Sequence, residues 1–288
     1  MTSMETQYYG LLGWPVKHSL SPPMQLAAFK ACGIPATYEL IETPPENLAA
    51  TVKDMVDQGF AGWNITVPHK PAMLELVDEV DPVARQARSV NTVRHRDGRL
   101  QAWSTDGYGL ERAIAEHFAI PLAGRHFVFW GCGGAATACA FHFAAGGAAR
   151  LTLVNRTVSK AEKLAAELKA SYPHLQLSVA APTETQTIHE MIAAADLIIQ
   201  ATSIGLKKQD PPAIPAEIVQ LKTPIYDMVY VPNRLRDLAR EHQCPYADGL
   251  MMLLYQGVRS FELWTGRQAP VDIMRNALVS AFQARLHG

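Results

Sequence analysis

The sequence predicts an α/β protein of two domains. Three observations carry that prediction. Apolar runs of strand length alternate with segments of helical period along most of the 288 residues. The cluster Gly131-Cys132-Gly133-Gly134 falls between an apolar run and a segment of small residues, the setting of a strand that turns sharply into a helix. At roughly 100–200 residues per domain, the length calls for about two.

The elements follow in order. Residues 8–16 read as a strand. Ser21 before Pro22-Pro23 suits an N-cap with proline in the first turn of a helix that runs through Phe29 and stops at Gly33. Residues 37–41 read as the second strand. Within 46–58, Leu48, Val52, Met55 and Val56 recur at helical spacing ahead of Gly59. Residues 62–67 are the next strand, and a helix is expected after Pro68. This alternation predicts a mostly parallel sheet. At 90–95 and 100–104 the period changes to two around Asp97-Gly98, which reads as a hairpin with a tight turn. A helix at 109–118 leads into a second series. Its strands are expected at 126–130, 151–154, 175–179, 197–201 and 225–229, and its helices at 135–145, 159–171, 187–194 and 234–241. Two long helical patterns, 251–264 and 271–286, close the chain. The domain joint is predicted at 104–109.

Composition narrows the class. Hydrophobic residues make up 48% and charged residues 18%, enough apolar material for a packed core, which excludes a disordered chain. Twenty-six Lys and Arg against 27 Asp and Glu leave a net charge of −1, with no basic surface for nucleic acid or an anionic membrane. No apolar run approaches the roughly 20 residues that cross a bilayer. The N-terminal residues carry no basic region followed by an apolar stretch, so no signal peptide is expected. Cys32, Cys132, Cys139 and Cys244 show no metal-ligand spacing, so the expectation is free thiols in a reducing cytoplasm and no metal.

The glycine turn is the first candidate site. Gly131 permits the turn, Gly133 lets backbone approach a pyrophosphate, and the helix start offers unpaired N–H groups. Gly134 directly follows Gly133, a departure from the common G-x-G-x-x-G spacing. The small run from Ala135 lets the helix lie close to the sheet. At the end of the next strand, NAD-binding proteins usually carry an acid for the ribose 2′-hydroxyl. Here stand Asn155-Arg156-Thr157, with Lys160 one turn on. A guanidinium pairs with a 2′-phosphate, so the triplet favours NADP(H).

Further polar residues cluster at predicted strand ends: Ser19 and Ser21, Thr66 and Lys70, Asn91, and Asp106. Each has a local structural reading. The serines could cap a helix, Thr66 could be a strand residue, Lys70 an exposed lysine, Asn91 part of the hairpin, and Asp106 an N-cap.

Together the motifs G-W-P-V-x-H-S-L-S-P (13–22), N-I-T-V-P-H-K (64–70), S-V-N-T (89–92), S-T-D-G-x-G (104–109), G-C-G-G-A-A (131–136), N-R-T (155–157), A-T-S (201–203), Y-D-M-V-Y (226–230) and A-D-G-L-M-M-L-x-x-Q (247–256) resemble the shikimate dehydrogenase family, in order and over nearly the whole chain. The resemblance implies a substrate-binding and catalytic domain at 1–106 plus 252–288, completed by the returning C-terminal helices, and a Rossmann-like NADP-binding domain at 107–251. It implies reversible NADPH-dependent reduction of 3-dehydroshikimate to shikimate, in the chorismate route to aromatic amino acids. Lys70 and Asp106 match the family's catalytic pair. Ser19 and Ser21 match its carboxylate site, and Thr66, Asn91, Tyr230 and Gln256 its other substrate contacts. Gly131, Gly133, Gly134 and Ala135 match the cofactor loop, Asn155, Arg156, Thr157 and Lys160 the 2′-phosphate pocket, and Thr202, Met228 and Gly249 the nicotinamide side. The expected partner is a small-molecule substrate, with a second copy in a homodimer as a further candidate. His69, Cys132 and Gln200 depart from the family's usual residues. A quinate/shikimate or aminoshikimate dehydrogenase, and a non-catalytic NADP-binding regulatory relative, are the alternatives. A folate dehydrogenase-like enzyme is a third, on architecture alone.

Overall fold

A computed structural model describes residues 5–287. The chain divides into two compact units. One takes in the chain up to Gly109 and again from Leu253, and the other is Leu110–Met252.

The first unit contains β1 (Gln7–Gly13), α1 (Ser21–Ala31), β2 (Ala36–Glu42), α2 (Leu48–Asp57), β3 (Phe60–Ile65), β4 (Glu79–Val80), α3 (Pro82–Gln86), β5 (Thr92–Arg96) and β6 (Arg99–Trp103). Its sheet runs β2-β1-β3-β5-β6-β4. β1 pairs parallel with β2 and β3, and β4 with β6, while β5 runs antiparallel to β3 and β6. The hairpin turn places Asp97 and Gly98 at φ 52° and 73°, the conformation a two-residue type I′ turn needs.

Alternation along β1 splits the core in two. Leu12 faces Val52, Met55, Trp63, Ile65 and Val93. On the other face Tyr9 stacks on Phe29 with centroids 4.5 Å apart, and Trp264 lies 5.1 Å from Tyr9. Trp264 belongs to α10 (Leu250–Thr265), which with α11 (Val271–His287) returns to this unit. The Trp264 Nε1–H donates to the Val93 carbonyl at 2.7 Å. A Cβ on Gly62 would stand 2.5 Å from that indole, so only glycine lets the C-terminal helix seat on the sheet.

The second unit starts within α4 (Asp106–Phe118) and holds β7 (His126–Trp130), α5 (Gly134–Ala145), β8 (Arg150–Val154), α6 (Val158–Ser171), β9 (Gln176–Ala180), α7 (Thr185–Ala193), β10 (Leu197–Gln200), α8 (Ala216–Val219), β11 (Ile225–Asp227), α9 (Arg234–Glu241) and β12 (Tyr246–Ala247). Its six strands are all parallel, in the order β12-β11-β10-β7-β8-β9. Counted within the unit this is the Rossmann order, which places the reversal of strand order at β7/β10. Val128, Trp130, Ile198, Ile225 and Leu235 fill one face. Phe127 and Phe129 pack edge-on against Phe143 of α5 on the other.

Three local expectations are corrected. Ser21 is not the N-cap of α1. Leu20 holds that position and Ser21 is the first helical residue. Pro22 and Pro23 occupy the next two positions and have no N–H for a capping side chain to accept. Instead the Ser19 Oγ accepts from the Ser21 N–H at 3.1 Å. No helix starts at Pro68. A 3₁₀ turn spans Ala72–Leu76, because Pro71 lacks the N–H that a helix begun at 68 would use. The first strand ends at Gly13, since Pro15 cannot continue a ladder.

Candidate active site

In the first unit, three segments converge at the sheet's end. Lys70 follows β3, Asn91 precedes β5, and Asp106 follows β6 as the first residue of α4. The Lys70 Nζ donates to Asp106 Oδ2 at 2.5 Å. The two side chains are 17% and 9% exposed, so the pair is shielded yet reachable. The other carboxylate oxygen, Oδ1, accepts from Asn91 Nδ2 at 2.9 Å.

The Asn91 amide is itself fixed. Its Oδ1 accepts from the Thr105 N–H at 2.8 Å, the Thr105 hydroxyl at 3.1 Å and the Thr92 hydroxyl at 3.0 Å. Only an oxygen can accept these three, so the amide nitrogen must face Asp106. Behind this stands Asn64, whose Nδ2 lies 3.1 Å from Thr92 Oγ1 and 2.9 Å from Ser260 Oγ. Its Oδ1 accepts from the Tyr38 hydroxyl at 2.8 Å. Burial pushes that phenol well above its ordinary value, against a hydrogen bond from Ser21 that lowers it. Every member is buried and partnered, which gives a network of this kind its rigidity.

Among the described residues, the other expected substrate residues of this unit make no bond to the pair. Ser21 lies buried beside Tyr38. Thr66 is half-buried, its methyl filling the space that a Cβ on Gly13 would need. Gln256, half-buried on α10, donates to its own helix at the Leu253 carbonyl, 2.9 Å away. Asn64, Thr92 and Thr105 lie within the sequence motifs but are given no role there, and Ser260 lies in none of them. Ser260 sits one helical turn beyond Gln256, and nothing local marks it as polar core.

In the second unit, the turn between β7 and α5 is a candidate site of its own. Gly131 has φ +112°, and a Cβ there would stand 2.7 Å from Thr202 Cγ2. Cβ atoms on Gly133 and Gly134 would meet nothing within 4 Å. Gly133 is the N-cap of α5 and supplies no capping side chain, so the first N–H groups of the helix remain open to an anion. Cys132 holds the turn to β8 by donating its N–H to Asn155 Oδ1 at 3.1 Å. Burial pushes its thiol up to about 12, so it stays a neutral thiol. Asn155 Nδ2 donates to the Thr157 carbonyl at 2.8 Å. Arg156, Thr157 and Lys160 are exposed beside it. Thr157 is the N-cap of α6 without a side-chain cap bond. An open turn, a helix start without a side-chain cap and two exposed cations fit a pyrophosphate and a ribose phosphate. Met228 backs Gly249 so closely that a Cβ on Gly249 would lie 2.2 Å from the Met228 carbonyl oxygen. Tyr230 is half-buried beyond β11. Among the described residues no group of three or more His, Cys, Asp or Glu could hold a metal, and no helix is long and apolar enough to cross a membrane.

A Rossmann sheet with exposed basic residues beyond its second strand, on a chain that also shields a lysine against an aspartate, defines an oxidoreductase of the nicotinamide-dependent class. Comparison with known proteins makes this particular. Residues 11–93 match the shikimate dehydrogenase substrate binding domain, 113–207 the shikimate / quinate 5-dehydrogenase family, and 249–279 the shikimate 5'-dehydrogenase C-terminal domain. The chain is 40% identical to the shikimate dehydrogenase (NADP(+)) of Methanopyrus kandleri over 96% of both chains. It superposes on the Thermus thermophilus shikimate 5-dehydrogenase in complex with NADP(H) and shikimate with a TM-score of 0.82, at 34% identity over 96% of this chain and 99% of that one. A quinate dehydrogenase from Corynebacterium glutamicum in complex with NAD gives a TM-score of 0.86 at 29% identity, over 96% and 100% of the two chains. The chain belongs to the shikimate dehydrogenase family.

Proposed function

We propose that the protein catalyses the reversible reduction of 3-dehydroshikimate to shikimate with NADPH, through Lys70 and Asp106 on the first unit and a cofactor held by the second. The shielded 2.5 Å contact between Lys70 and Asp106 is the observation that carries this reading. Bound NADP(H) supplies the hydride that the ketone carbon gains. The chain must supply the proton to the ketone oxygen. Lys70 has protons to give and can take one back in the reverse direction. Asp106 holds the ammonium in place, and Asn91 holds Asp106. Proton exchange belongs to the coupled pair.

Ser19 and Ser21 bind the substrate carboxylate, and Thr66, Asn91, Tyr230 and Gln256 its other polar groups. Gly131, Gly133, Gly134 and Ala135 admit the pyrophosphate. Asn155, Arg156, Thr157 and Lys160 take the 2′-phosphate, and Thr202, Met228 and Gly249 stand at the nicotinamide side. The absence of an acid at the end of β8 and the exposed Arg156 support NADP(H) over NAD(H). All four cysteines are free, which suits a reducing cytoplasm.

Steady-state oxidation of shikimate and of quinate, each with NADP+ and with NAD+, tests the reading. The expected result is turnover with shikimate and NADP+ well above the other three pairs. A preference for quinate with NAD+ would reassign the enzyme within its family. Tight NADP+ binding without turnover of either substrate would make it a binding protein.

A further inference from the structure

Gln200, the last residue of β10, is fully buried, and its side chain makes three bonds. Its Oε1 accepts from the Thr202 N–H at 2.5 Å. Its Nε2 donates to the Ile204 carbonyl at 3.1 Å and to Asp227 Oδ1 at 3.1 Å. One amide therefore holds both ends of the loop 201–204 and ties it to the neighbouring strand.

Asp227, the last residue of β11, is also fully buried. Four donors converge on it: Gln200 Nε2 and the Val229 N–H at Oδ1, and Asn233 Nδ2 and the Tyr246 hydroxyl at Oδ2. A carboxylate is the only side chain that accepts on all sides. Burial raises its pKa and these bonds oppose the rise. The pair spans the ends of adjacent parallel strands, where ligand sites of open α/β sheets lie. The loops it fixes carry Thr202, whose methyl abuts Gly131, and Met228, whose backbone abuts Gly249. The Met228 N–H also donates to the Gln200 carbonyl at 2.9 Å. No bond of this clamp reaches Asn155, Arg156 or Thr157.

We infer that Gln200 and Asp227 are positioning residues that set the loops after β10 and β11 for the nicotinamide half of the dinucleotide, leaving the adenosine half independent of them. An amide one methylene longer than asparagine gives this chain its reach from Thr202 to Asp227. The inference rests on the assignment of Thr202, Met228 and Gly249 to the nicotinamide side.

The test compares two ligands of the whole protein. Adenosine 2′,5′-bisphosphate reports the adenosine half alone, and NADP+ reports both halves. In Gln200→Ala, affinity for the bisphosphate should stay within about two-fold, while affinity for NADP+ falls ~10-fold and kcat for shikimate falls ~10–100-fold, the scale of a small misplacement of reacting groups. Amide hydrogen exchange of the ligand-free protein should rise at 201–204 and 228–230 and stay unchanged at 131–136. Equal losses for both ligands, or unchanged NADP+ affinity with unchanged exchange, would overturn the inference. If Gln200→Ala does not fold, Gln200→Asn and Tyr246→Phe carry the same comparison, since each removes part of the clamp. A wild-type protein that binds NADP+ but turns over no shikimate would sink the proposed reaction, while the two affinities and the exchange data still decide the clamp.

Discussion

The two units prepare for their ligands in opposite ways. In the first, the polar groups are side chains, buried and bonded to one another. Asp106 is held by Asn91, Asn91 by Thr105 and Thr92, and these by Asn64 and Ser260. In the second, the groups on offer at the glycine turn and beyond β8 are backbone N–H groups and exposed cations. The difference teaches what each half must do. A proton carrier must be held within a fraction of an ångström, so its surroundings are made rigid before substrate arrives. A phosphate tolerates looser placement, because many donors and a helix end attract it together.

The largest break in this comparison comes from Lys70→Ala. It should lower kcat by ~10²–10⁴ and leave NADP+ affinity nearly intact, because the lesion is confined to the rigid half. Parallel steady-state and binding measurements check it, and a near-normal kcat would remove Lys70 from the chemistry. The next comes from Arg156→Ala. Loss of a charge-assisted contact to a phosphate should weaken NADPH by ~10–100-fold with little effect on NADH. Equal losses for the two would make Arg156 a general surface cation.

The smallest effect sharpens the contrast inside the second unit. Burial holds the His126 imidazole below its usual value, against an opposing hydrogen bond to the Ala194 carbonyl. Its folded pKa lies below its unfolded one, so the unfolded chain binds more protons as pH drops. The contribution is therefore fully present above about pH 6.5 and is lost as pH falls through the depressed folded value. The thermal midpoint of the wild type should decline over that window more than that of His126→Gln. Identical declines would place the acid sensitivity elsewhere.

Much of the fold was legible because its signals are local. Strand β7 and helix α9 occupy the residues that periodicity predicts, since each is bounded by turn chemistry in the sequence itself. The strand-to-helix glycine turn could be recognised for the same reason. The short strands β4 and β12 and the short helices α3 and α8 were not legible. Two to five residues carry too little period to register, and their pairing partners supply the structure. The cap of α1 misled for a different reason. Ser21 is a good capping residue, but the chain turns one residue earlier, so Leu20 takes the cap position and the Ser21 N–H bonds to Ser19 Oγ.

The site divides along the same line. Sequence brought Lys70, Asp106, Asn91 and the Asn155-Arg156-Thr157 triplet into view through residue type and motif. It marked Gln200 only as a departure and passed over Ser260 and the donors around Asp227. By itself, then, the sequence determined the order of elements, the glycine turn and the chemical types at the strand ends, because backbone preference and side-chain chemistry act over a few residues. Only the tertiary structure decided which of those groups meet. The bonds from Asn64 to Ser260, and from Gln200 to Asp227, join residues 196 and 27 positions apart. Such partners are chosen by sheet register and helix packing, which no local pattern encodes.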